Sequence, residues 1–304
     1  MTGQSIRVDD KWVIDALRLL IAIVILSYAS IQDVRTRKAQ NALWIVLAAA
    51  ALILLPVQLV ADGESLAYVL VVVPILAILA DVYWDGKEDS AMARYGPWAK
   101  YSMWFIATVA LGYAWVDRLY FQHLLAIPVM MFFFVVMYML GLIRGGADAK
   151  AMISLAILFP LYPALGGFPL LHGSTGSAQL LFPFAFVILF TAAIITALTP
   201  IYYLSRNLAS RDMKFPQSLF GYKAEHSQLK GKHVWLMERM EGGEHVIYVR
   251  PKKDEDLEKE IDLLVRSGHT RLWITPMIPF LVPMLLSLVF STVVGNLIFW
   301  LFPF

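Results

Sequence analysis

Two carboxylates stand where long apolar stretches of this chain stop. Asp33 closes the first stretch, and Asp148 lies in Gly145-Gly146-Ala147-Asp148-Ala149-Lys150, between two others. An ionisable group at such a position is costly to keep, which makes each a candidate for function. Two carboxylates a few ångström apart cannot both ionise cheaply, so they share a proton. The ionised member can take a proton from water while the protonated one polarises a peptide carbonyl, a route to peptide hydrolysis that needs neither metal nor thiol. The bland alternative is that each aspartate only marks the solvated end of a helix. Asp81 and Asp85 close a third apolar stretch and compete for the same role. Gly145 and Gly146 remove side chains beside Asp148 and leave room for a peptide backbone. With Lys150 they form the candidate substrate-binding set.

The two favoured acids differ in setting. Asp148 precedes a helical run, where the helix dipole favours the anion, and Asp33 follows one, where it favours the neutral acid. Asp148 is therefore expected to ionise first and Asp33 to hold the shared proton.

The elements that must position these acids are membrane helices. Of 304 residues, 59 % are hydrophobic and 16 % charged, well below the roughly one quarter charged in soluble domains. The net charge of +2 says little, and the basic residues fall in loops rather than along one face, so no nucleic acid is expected. Cysteine is absent, which excludes disulfides and thiol catalysis. His123, His172, His226, His233, His245 and His269 are scattered, so neither a metal nor a cofactor is expected. No cleavable signal peptide is evident, because the first apolar run is long enough to span.

Spanning takes about twenty apolar residues. Spans are expected near Trp12–Ile31, Ala42–Val60, Leu66–Trp84, Tyr101–Val116, Phe121–Ile143, Ala151–Leu165, Leu180–Leu204 and Thr275–Phe302. The fourth and sixth are short, so each is tilted, re-entrant or buried in the bundle. Arg35, Arg37 and Lys38, then Lys87, Arg94 and Lys100, then Arg144 and Lys150 occupy alternate loops. This puts those loops, with Asp33 and Asp148, at the cytosolic edge. Arg7, Lys11 and Arg118 run against the scheme.

Between Ser205 and Arg271 the composition turns polar. Val234–Met240 and His245–Val249 flank Glu241-Gly242-Gly243-Glu244 as a hairpin would. Asp254–Arg266 reads as an amphipathic helix with acids crowding its start. The expected fold class is an all-α polytopic membrane bundle of about eight spans with a small cytosolic α+β insert before the last. Residues 1–204 form the bundle, 205–272 the insert and 273–304 the final transmembrane helix.

Two motifs carry a resemblance. Ser30-Ile31-Gln32-Asp33-Val34-Arg35-Thr36-Arg37, with Asn41 and Trp44 opening the next helix, resembles the first catalytic segment of type IV prepilin peptidases. Gly145-Gly146-Ala147-Asp148-Ala149-Lys150 resembles their second, G-x-G-D followed by lysine, with Ala147 in place of the usual glycine. Leu272–Pro279 and the closing Leu301-Phe302-Pro303-Phe304 resemble the archaeal branch, the preflagellin peptidases. Two spans within about 61–118 are extra to the usual six-span core. The resemblance implies a cell-membrane aspartic endopeptidase with Asp33 and Asp148 catalytic, and it demotes Asp81 and Asp85. Its partners would be archaellin or type IV pilin-like precursors, cut on the cytosolic side between a short basic leader and an apolar helix.

Two rivals remain. Presenilin and signal peptide peptidase-like proteases also use a G-x-G-D aspartate, but Pro163-Ala164-Leu165 lies too soon after Asp148 to match their later signature. A proton-coupled transporter would instead need carboxylates near mid-span along a polar path.

Overall fold

The computed structural model describes residues 11–83, 91–115, 118–170, 177–229, 231–249 and 257–301. Asp85, Arg7, Lys87, His172, Glu255, Asp256 and the closing Phe302-Pro303-Phe304 lie outside the described residues.

The chain divides into two compact units, 1–192 with 280–304 and 193–279. In order, the helices are α1 (Lys11–Thr36), α2 (Asn41–Asp62), a 3-10 segment Leu66–Val71 running into α3 (Val72–Tyr83), α4 (Ala91–Ala114), α5 (Leu119–Met139) and α6 (Gly146–Leu158). Then come α7 (Ser177–Leu181), α8 (Phe184–Ala197), α9 (Thr199–Ala209), α10 (Leu257–Arg266), α11 (Leu281–Val293) and α12 (Leu297–Leu301).

Among the described residues, five stretches are long and apolar enough to cross a membrane: Trp12–Thr36, Asn41–Asp62, Leu66–Tyr83, Leu119–Met139 and Phe184–Ala209. Trp104–Ala114 and Leu281–Val293 are apolar but shorter. The run expected to span at Ala151–Leu165 is α6, and its helix stops at Leu158. Thirteen residues rise only about 20 Å, short of a hydrocarbon core of about 30 Å. Pro160 explains the stop, since it biases the residue before it away from the helical region. The short run proves to be buried in the bundle: Ala149 and every residue from Ala151 to Leu158 are enclosed. It packs on α2 and α5. Both helices bury alanines (Ala48 and Ala51 on α2, Ala151 and Ala156 on α6), small residues of the kind that let helix backbones approach. Ser154 Oγ donates to the Trp44 carbonyl at 3.1 Å and closes the contact of α6 with α2.

Gly63 ends α2 at φ 73°, a left-handed turn open to glycine at no steric cost. α1 ends differently. Its next residue, Arg37, takes φ 57°, a conformation unfavourable by about 1–2 kcal/mol for a residue with a Cβ. Its backbone N–H donates to the Asp33 carbonyl at 3.0 Å.

The second unit contains the expected hairpin. β3 (Glu238–Glu241) pairs with β4 (Glu244–Ile247) across Gly242-Gly243. Val234–Leu236, expected within that hairpin, is a separate strand, β2, in a three-stranded antiparallel sheet of order β1-β5-β2, with β1 at Tyr222–Glu225 and β5 at Arg271–Pro276. The final helix is correspondingly corrected. Thr275 and Pro276 belong to β5, and the helix begins only at Leu281. The β-prone Leu272-Trp273-Ile274 is buried against strands 38 to 52 positions upstream, a long-range pairing that overrides its apolar appearance. The expected amphipathic helix is α10, which buries Leu264.

Candidate active site

Asp148 lies in the first turn of α6 and Asp33 in the last turn of α1. The two carboxylates are close enough to act on each other electrostatically, and both act on Arg37. Residues 115 positions apart in sequence thus converge on one cationic side chain. Both acids are half-buried, open enough for water and enclosed enough for charge to matter.

The local structure explains each placement. α6 starts at Gly145, which adopts an extended conformation and offers no side-chain cap. The Asp148 side chain fills that space, and a Cβ on Gly145 would overlap its carboxyl group. The glycine is therefore explained by the aspartate itself. Gly146 has only Tyr138 near its missing Cβ, with the hydroxyl at 3.6 Å. Lys150 donates to Asn41 Oδ1 at 2.9 Å and lies over the Tyr83 ring at 5.1 Å, tying the start of α2 to α6. Asp81 is carried on α3.

The surroundings of each acid bear on the order in which the two ionise. Asp33 ends its own helix; burial pushes its carboxyl group up, opposed by the charge of Arg37 and by the backbone N–H of Leu281, at the start of α11, which donates to it. Free N–H groups at a helix start favour an anion, so Asp33 receives the support expected for Asp148. Asp148 is pushed up to about 7, first by burial and then by the charge of Asp33, with Arg37 opposing. Burial outweighs the dipole of α6.

Arg37 was not anticipated as part of the site. It lies just past the end of α1 in a left-handed conformation, so its approach to the two acids depends on a backbone turn that helical spacing does not reveal. A second polar group also escaped notice. Asp15 and Arg18 on α1, Gln58 and Asp62 on α2 and Tyr120 on α5 gather at the other end of these helices. Tyr120 donates its hydroxyl proton to Asp62 Oδ2 at 2.7 Å. Between the two ends of α1, the inward positions Leu19, Ala22, Leu26 and Ala29 are buried and apolar, so this helix carries no polar path from one cluster to the other. Pro163-Ala164-Leu165 belongs to the distal cluster, where the Ala164 N–H donates to Asp15 Oδ2 at 3.0 Å.

Comparison with known proteins returns the family that the motifs resemble. Residues 213–297 match the family model Archaeal Peptidase A24 C-terminus Type II. Over 288 residues, 91 % of this chain and 94 % of the relative, the sequence is 24 % identical to a preflagellin peptidase of Methanococcus voltae.

Proposed function

We propose that this chain is a preflagellin peptidase of the archaeal A24 kind, a multi-pass membrane aspartic endopeptidase. It removes the short basic leader of archaellin or type IV pilin-like precursors at the cytosolic face. About eight helical segments build the membrane part, and the polar unit before the last of them faces the cytosol. The observation that carries the reading is the convergence of Asp33 and Asp148 beside Arg37, in a chain similar to a preflagellin peptidase over nearly its whole length.

The mechanism follows from the two environments. Water sits between the carboxyl groups. Asp33, held as the anion by the Leu281 N–H, takes a proton from that water as its oxygen attacks the scissile carbonyl carbon. Asp148, still protonated, donates to the carbonyl oxygen, which carries the growing negative charge. Collapse of the tetrahedral intermediate breaks the C–N bond, and the departing amine takes the proton that Asp33 gained. Gly145, Gly146 and Lys150 flank the extended peptide, with Lys150 held in place by Asn41.

The test is co-expression with a tagged prearchaellin followed by gel shift and mass spectrometry of the product. Asp33→Asn and Asp148→Asn are each expected to abolish processing while the protein still inserts, and Asp81→Asn to leave it intact. Full processing by either of the first two ends the pair assignment. A cut inside the apolar helix, rather than before it, places the chain with the presenilin-like proteases instead.

A further inference from the structure

One of the two most enclosed charged side chains among the described residues lies at the end of α1 away from Asp33. Arg18 is 1 % exposed, in the first half of α1. Its Nη1 donates to the carbonyl of Leu158, the last residue of α6. Three residues earlier on α1, Asp15 Oδ2 accepts the Ala164 N–H at 3.0 Å, from the segment that follows α6. A cation and an anion one helical turn apart therefore grip an orphan carbonyl at the end of α6 and an amide just beyond it. The last carbonyls of a helix have no partner within it, and a positive charge there also complements the helix dipole.

We infer that Asp15 and Arg18 form a clamp that positions the helix carrying Asp148 against the helix carrying Asp33. The same two helices meet at both of their ends. From Arg18 to Asp33 α1 rises about 22 Å, and from Asp148 to Leu158 α6 rises about 15 Å. The long arginine side chain takes up part of the difference. α6 packs mainly on α2 and α5, and α1 on α2 and α11. The clamp is thus a direct tie between two helices whose other contacts run largely through neighbours. Fixing the far end of α6 limits both its sliding along its axis and its rotation about it, the two motions that would carry Asp148 away from Asp33. Arg18 also faces the charge of Asp62, whose Oδ2 holds Tyr120 and Gln58, so the clamp is anchored on α2 and α5 as well. Nε and Nη2 of Arg18 have no hydrogen-bond partner among the described residues. The contact to Leu158 therefore needs one donor and a positive charge, not the whole guanidinium fork. Asp15 and Arg18 are positioning residues here, since neither touches the reacting atoms.

The kinetic half of the test rests on the peptidase reading; the other half does not. Arg18→Met keeps length and removes donor and charge, and Arg18→Lys keeps both. Cleavage of a prearchaellin by purified protein in nanodiscs is expected to lose about 100-fold in kcat with Met, the scale of an ångström-sized misplacement. KM should not change, and Lys should recover most of the loss. The chain has no cysteine, so Val34→Cys and Arg144→Cys, both exposed near the catalytic end, can carry spin labels. Their distance distribution should broaden or shift in Arg18→Met and return in Arg18→Lys. Unchanged kcat and unchanged distances in Arg18→Met overturn the clamp, as does a rise in KM alone. If Arg18→Met fails to insert, Asp15→Ala replaces it: a broadened distribution supports the clamp and an unaltered one overturns it. If the unsubstituted protein cleaves no precursor, the peptidase reading fails while the label distances still decide the clamp.

Discussion

The carboxyl group of Asp148 occupies the place where Gly145 would carry its Cβ. A methyl group there forces the acid to rotate away, while the rest of α6 stays buried as before. Gly145→Ala is therefore expected to insert and melt like the unsubstituted protein, yet to lose about 10- to 100-fold in kcat through displacement of a reacting group. Steady-state cleavage with thermal melting of the purified protein checks this. A variant with full kcat would mean that the acid does not work from this rotamer.

The pair should work in the singly protonated state, whose upper limit is set by the proton that Asp148 keeps to about 7. Activity is expected to fall as pH rises through that value, with the limb belonging to the pair as a unit. Arg37 favours the ionised form of Asp148. Replacing it with glutamine should let the proton persist longer and move the descending limb to higher pH. The pH profile of kcat for Arg37→Gln against the unsubstituted protein is the measurement. A shift to lower pH contradicts the assignment.

Glu238 gives the polar unit a pH dependence of its own. It is 1 % exposed on β3, and burial pushes it up to about 7, against the Trp273 backbone N–H and the charges of His269, Lys223 and Lys214. Its proton is bound more tightly in the folded unit than in the unfolded chain. The stability it contributes is therefore present below about 4.5 and lost as pH rises to about 7. Glu238→Gln should remove that decline, so the two proteins should differ more in hydrogen-exchange protection of β1, β3 and β5 at pH 8 than at pH 5. His245 Nε2 lies 3.3 Å from Glu238 Oε2, and burial holds it below its usual value. Because it touches the substituted carboxyl group, the comparison is repeated in a His245→Ala background, where only position 238 differs. Equal protection at both pH values would show that the carboxyl group gains its charge without cost.

Where α2 meets α6, the single hydroxyl of Ser154 is a small part of a tight contact. Ser154→Ala is expected to cost about 0.6 kcal/mol, the average for such bonds within membranes. Ser154→Leu should cost about 1–3 kcal/mol by overpacking. Reversible unfolding in mixed micelles separates the two, and equal effects would argue against close packing at this face.

The meeting of Asp33 and Asp148 was legible because a carboxylate at the end of an apolar run stands out locally. The hairpin at Gly242-Gly243 and the helix ending at Arg266 were legible for the same reason, each being a short-range pattern. Features that depend on distant partners were not. Leu272-Trp273-Ile274 looks like the approach to a membrane span until β1 and β2 claim it. The space at Gly145 reads as room for substrate until the Asp148 rotamer is known. The ionisation order, argued from each acid's own helix, left out the start of α11, more than 240 residues after Asp33. Asp15 and Arg18 are a different case. An acid and a base one turn apart in an apolar helix were visible, and their meaning depended on where α6 stops.

From Ala151 through Leu158, no residue of α6 reaches either lipid or water. Each of those eight positions fixes a volume that its neighbours have already filled. A survey scoring random substitutions by lost activity would find this segment among the least forgiving in the protein, although none of its side chains takes part in the chemistry. Intolerance to change would there trace the mould around the acid and not the acid's own work.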